Sequence, residues 1–78
     1  MSAERRAILE LLAQRDAGKT ICPSEAARLV GGVEYRAAMP AVRDAARDLV
    51  AEGEIEVTQR GEVVALDAAR GPIRLRRA

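Results

Sequence analysis

The apolar period of this chain changes at Gly53, and that change constrains the fold more than any other feature. Upstream of it, Val42, Ala45, Ala46, Leu49 and Val50 recur at the three- and four-residue spacing of one helix face. Downstream, Ile55 and Val57 alternate with Glu54, Glu56 and Thr58, and Ile73 and Leu75 alternate with Arg74 and Arg76. Strict alternation puts the apolar side chains on one face of a half-buried strand. A chain that is mostly helical first and strand-rich last belongs to the α+β class.

Other segments fill in the order. Ser2 is a good N-cap, and Ile8, Leu11 and Leu12, widened by Ala7 and Leu9, predict a first helix from about Ser2 to Arg15, stopped by Gly18. Thr20-Ile21-Cys22 is a short β-prone stretch closed by Pro23. Ser24 is expected to cap a second helix, Glu25 to Val30, with Glu25 at its first position and Gly31-Gly32 ending it. Tyr35 to Ala38 reads as one loose turn. Pro40 is expected to open the third helix (40–52), where its missing N–H costs nothing. Arg60-Gly61 is a turn candidate, and Val63 to Leu66 reads as a brief pairing segment or a loop. The predicted order is α-β-α-α-β-β, a winged helix-turn-helix. It has three helices and a small two- to three-stranded antiparallel sheet, with the Ile21 strand as the third.

At 78 residues the chain holds one domain (1–78), because a second core would have nothing to fill it. The core is built of small and branched aliphatics; Tyr35 is the only aromatic. The formal net charge is +1 and the pI about 8.0, which argues neither for nor against a nucleic-acid partner. Cys22 is the single cysteine, so no internal disulfide is possible. There is no His to activate a nucleophile and no ligand set for zinc. The carboxylate pairs fall on faces expected to be exposed, and no glycine-rich phosphate loop follows a strand. The expectation is therefore a non-enzyme without cofactor or metal. No secretory signal and no membrane-length apolar run is visible, which makes the cytoplasm the expected location.

Several stretches carry a resemblance: Thr20-Ile21-Cys22-Pro23-Ser24-Glu25, Ala27-Arg28, Met39-Pro40, Glu52-Gly53, Ile55-Glu56-Val57-Thr58-Gln59 and Arg70-Gly71-Pro72-Ile73-Arg74-Leu75. Together they resemble an uncharacterised family of small bacterial proteins, a domain of unknown function thought to be winged-helix-like. The resemblance covers nearly the whole chain. It implies the fold and no activity, and it implies Trp where Tyr35 stands.

In a helix-turn-helix the second helix of the motif enters the major groove; here that is the helix beginning at Pro40. Arg43 and Arg47 stack as an i, i+4 pair on one flank of it, and Asp44 and Asp48 on the other, all opposite Val42 and Leu49. The two arginines are candidates for base or phosphate contacts. The alternative is a solvated face on which Asp44 pairs with Arg47. The C-terminal stretch holds Arg70, Arg74, Arg76 and Arg77 with no acidic residue among them, a basic strand and tail suited to phosphates or a minor groove. The alternative is cross-strand pairing of Arg74 and Arg76 with Glu54 and Glu56. Arg60 and Arg70 flank the expected wing loop and are freer of partners. The sequence thus nominates Arg43, Arg47, Arg60, Arg70, Arg74 and Arg76 as a nucleic-acid interface, with DNA the leading partner. A protein–protein interaction or dimerisation module is the competing reading; no membrane or small-molecule partner is expected. Cys22 is read as core packing and Ser24 as a plain cap. Glu25 argues against an anion at the start of the second helix.

Overall fold

A computed structural model describes residues 2–78. The Ser2 hydroxyl accepts from the Arg5 N–H at 3.1 Å and opens α1 (Ala3–Ala13). After a turn through Gly18 come β1 (Thr20–Ile21), α2 (Pro23–Gly31), a 3-10 turn (Gly32–Glu34) and α3 (Tyr35–Ala51). β2 (Ile55–Gln59), β3 (Glu62–Val63) and β4 (Arg74–Arg77) complete the chain. The fold is α+β. The antiparallel sheet has four strands in the order β1-β4-β2-β3, where two or three were expected. The extra strand arises because the chain doubles back at once through Arg60-Gly61. Thr58 pairs with Val63 and Gln59 with Glu62. Arg60 and Gly61 both have positive φ, 53° and 84°, as a type I′ turn between tightly paired strands requires.

The sheet buries one face. Ile21, Leu75 and Val57 lie side by side across β1, β4 and β2, and all three are fully or almost fully buried. Against them pack Ile8 and Leu12 of α1, Ala26 and Ala27 of α2, and Val42, Ala45, Ala46 and Leu49 of α3. Leu66, from the long β3–β4 connection, closes one side of this core. Across the opposite row, Thr20, Arg76 and Glu56 face outward, so the period-2 pattern sorts charge from core.

Three local expectations are corrected. The first helix residue of α2 is Pro23, not Glu25, so Ser24 is not the cap. Cys22 holds that position; its N–H donates to the Glu25 carboxylate at 2.7 Å, and the Ser24 hydroxyl donates to the Cys22 sulfur at 3.1 Å. Pro at the first helical position loses no bond that the helix needs, which favours this register. Val50 is exposed, since α3 turns it away from the sheet. Third, α3 starts at Tyr35 and Pro40 sits inside it. The proline removes the N–H that would donate to the Arg36 carbonyl. Packing outweighs this loss: Ala38 and Met39 extend the buried face one turn upstream of the proline. The helices cross closely there, for a Cβ on Gly31 would lie 3.4 Å from that of Ala38.

Candidate nucleic-acid interface

The exposed side of α3 and the β2–β4 connection are joined by one arginine. Arg47 donates from Nη1 to Asp44 Oδ1 at 2.8 Å, from Nη2 to Asp67 Oδ1 at 2.7 Å and from Nε to the same atom at 3.0 Å. A guanidinium engaged by two carboxylates has few N–H groups left for a phosphate or a base. The pairing sequence reasoning anticipated with Asp44 is present; Asp67, a further partner on a loop, carried no periodic signal. The same contacts shift the groups. Hydrogen bonding to Arg47 holds the Asp67 carboxyl below its ordinary value, with the charge of Arg43 adding to it, and raises the Arg47 pKa. Arg43 is half-buried one turn away, and makes no hydrogen bond or ion pair among the described residues.

The strand arginines are largely occupied. Arg76 faces Glu56 directly across β4 and β2, with Nε 3.5 Å from Oε1. Arg74 lies opposite Thr58 rather than a glutamate, and its Nε donates to Thr20 Oγ1 at 3.0 Å. Glu54 pairs with neither arginine, because the register carries the chain end past it: the Ala78 N–H donates to the Glu54 carbonyl at 3.2 Å.

Arg60 and Arg70 are different. Both are exposed, and among the described residues neither has an ionic partner. They line a single cleft of about 430 Å³ with Gln59, Glu62, Val64 and Pro72. The Gln59 side-chain amide donates to the carbonyls of Arg70 and Pro72, which holds the two limbs of the connection together. Arg60 is the one non-glycine among the described residues at positive φ. At the first position of this turn type Asn or Asp is preferred. An arginine there costs roughly 1 kcal/mol of backbone strain, so the side chain is not explained by the turn.

Sequence reasoning missed Arg36. It lies seven residues before Arg43 and eleven before Arg47, on the same stripe of α3. Starting the helix at Pro40 left it in a loose turn; the Ala38-Met39 extension of the apolar face was the signal for the earlier start. Of the candidate residues, Arg36, Arg43, Arg60 and Arg70 thus have no ionic partner among the described residues, and Arg47, Arg74 and Arg76 are engaged.

Among the described residues no cluster of three or more His, Cys, Asp or Glu converges as a metal site would need. No helix among them is long and apolar enough to cross a membrane. Residues 2–78 match the model of a family described as "Protein of unknown function (DUF3253)". The chain belongs to this family. DUF3253 membership agrees with the resemblance to an uncharacterised family carried by the sequence, and it brings no activity with it. No curated protein matches the chain.

One prediction concerns the clamps of this DUF3253 chain. Arg5 donates to both oxygens of Glu52, tying α1 to the end of α3, and that hydrogen bonding lowers the Glu52 pKa as Arg47 lowers that of Asp67. A carboxylate with a depressed folded-state pKa contributes stability above its unfolded value of about 4 and loses it as pH falls through the folded value. Thermal melts should therefore show stability falling below about pH 4. The fall should be shallower in Glu52→Gln/Asp67→Asn. Parallel profiles for the two proteins would remove these pairs from the acid response.

Proposed function

We propose that this chain is a winged helix-turn-helix module that binds nucleic acid, with duplex DNA the first ligand to test. The exposed stripe of α3 with Arg36 and Arg43 would face the groove, and Arg60 and Arg70 would hold phosphates from the wing. The observation that carries this reading is the pair of unpartnered guanidiniums on the β2–β4 connection, roped to α3 by Arg47 and Asp67. A β1-β4-β2 order with three helices ahead of β2 supports the winged form. The strained backbone at Arg60 supports a role for its side chain outside the fold. The reading assigns no catalysis and no cofactor, and it sets the domain to work in the cytoplasm.

The test is a titration of isotope-labelled protein with a mixed-sequence duplex at low and at physiological salt, followed by backbone amide shifts. Shifts clustered at Arg36, Arg43, Arg60 and Arg70 that fade with salt are expected. Their absence at low salt, where even weak phosphate attraction registers, would defeat the reading. Arg60→Asn sharpens the test. Asn suits the turn better than Arg, so the variant should melt no lower than the parent. It should still lose one phosphate contact, reducing the salt slope of log K by about 0.9.

A second reading, protein docking or dimerisation, is favoured by the exposure of Val33 (96%) and Leu29 (57%) beside the α2–α3 junction. It requires a mass that rises with concentration, or a captured partner, with no salt-sensitive affinity for the duplex.

A further inference from the structure

The aromatic ring of Tyr35 carries two arginines. The Arg28 guanidinium carbon lies 4.0 Å from the ring centroid and that of Arg36 lies 5.5 Å from it. Arg28 comes from α2 and Arg36 from the first turn of α3, so the cluster bridges the two helices of the motif. Both arginines are exposed, and among the described residues neither has a carboxylate partner. Arg5, Arg15, Arg47 and Arg76 are each paired, whereas Arg28 and Arg36 share the lack of a carboxylate partner with Arg43, Arg60 and Arg70 and are set apart by the ring they share.

Three physical points give this cluster a purpose. A guanidinium stacked on a ring face is held by cation–π attraction and keeps its N–H edge directed away from the ring. Those edges suit the oxygens of a phosphate, and prior stacking removes part of the entropy cost of ordering a long side chain. Second, two like charges brought to one ring repel each other, and an anion between their edges relieves that repulsion. Third, Arg36 stands in the first turn of α3, where the helix dipole disfavours a cation, and Glu34, the N-cap residue, makes no ion pair with it. Local helix stability does not explain an arginine at that position.

We infer that Arg28 and Arg36, oriented by Tyr35, form a second phosphate-binding site at the α2–α3 junction, at the start of α3, whereas the connection that carries Arg70 is bonded to α3 eleven residues further along, at Arg47. The site rests on the nucleic-acid reading above. It extends it from a contact at the wing alone to two phosphate anchors, and it narrows the role of Arg36, at the start of the α3 stripe, to a phosphate, which leaves Arg43 as the free arginine of that stripe between them. In helix-turn-helix proteins the helix preceding the recognition helix crosses the sugar–phosphate backbone, and Arg28 has the corresponding position.

The experiment is duplex affinity measured across a salt series for the parent and for Arg28→Ala, Arg36→Ala, Tyr35→Phe, Tyr35→Leu and Arg60→Asn, with a melt of each. Arg28→Ala and Arg36→Ala should each reduce the salt slope by about 0.9, one phosphate contact apiece. Tyr35→Phe keeps the ring and should bind as the parent does. Tyr35→Leu keeps both charges and loses the stack, so the slope should hold while affinity falls about two- to fivefold. A merely structural role for Tyr35 would move the melt and leave the affinity of the folded protein alone. If Arg28→Ala and Arg36→Ala bind like the parent while Arg60→Asn loses slope, the second site is overturned and the wing contact stands. If the parent itself shows no salt-sensitive binding, the nucleic-acid reading and the site fall together.

Discussion

Leu49→Ala is expected to unfold a large share of the molecules at room temperature. Leu49 is fully buried, the last core residue of α3, in its final turn. A Leu-to-Ala change in a core costs about 2–5 kcal/mol, with the upper end reached where neighbours cannot close the cavity. One turn back on the same face of the helix stand Ala45 and Ala46, both buried. Alanine has no rotamer to swing into a void, so relief would require whole helices to move. A domain this small buries only about 60% of its unfolded surface and has a total stability of several kcal/mol. The expected loss is therefore comparable to the whole. Urea unfolding of the variant beside Val50→Ala makes the comparison internal. Val50 is 39% exposed, and its truncation should shift stability by no more than about 0.5 kcal/mol. Similar midpoints for the two variants would mean that α3 does not pack as described.

That pair of residues also marks how far the sequence could be read. Val42, Ala45, Ala46 and Leu49 follow helical spacing and are all buried; Val50 fits the same spacing and is exposed. Spacing gives an apolar arc, and the neighbours decide how much of the arc is covered. The strands were legible because alternation leaves little choice: Ile55, Val57 and Leu75 are buried as expected, as is Ile73 just ahead of β4, although Thr58, expected to face outward, is buried too. The start of α3 was not. A proline rule that holds for isolated helices pointed to Pro40, whereas burial of Ala38 and Met39 is a tertiary gain that local rules do not contain. The same limit hid Arg36 from the candidate interface. The β2–β4 connection divides along similar lines. Arg60 and Arg70 were legible as charges without nearby partners in sequence. The Arg47–Asp67 bond spans twenty positions and depends on where a loop returns, so no spacing announced it.

Asp44→Asn/Asp67→Asn should make the protein a stronger nucleic-acid binder, provided α3 and the wing face the duplex. The two carboxylates do two things against binding. They repel phosphate, and they occupy Arg47 through four hydrogen bonds of 2.7–3.2 Å. Amides of the same shape remove the charge but keep acceptor oxygens, so the local geometry is largely retained while the guanidinium becomes free to turn outward. One added phosphate contact steepens the salt slope by about 0.9, which makes the affinity lost between about 50 and 200 mM salt roughly threefold greater than for the parent. At low salt the variant should bind more tightly. The opposite outcome is equally specific. Weaker binding would mean that the ion pair holds the wing at the angle the duplex needs, so that Arg47 serves as a positioning residue and its rigidity outweighs its charge. Affinity and slope identical to the parent would take this part of α3 out of the interface. Contact would then be confined to groups beyond the reach of both Asp44 and Asp67, such as the arginines at the start of α3, since no charge change of two units within reach of phosphate goes unnoticed at low ionic strength.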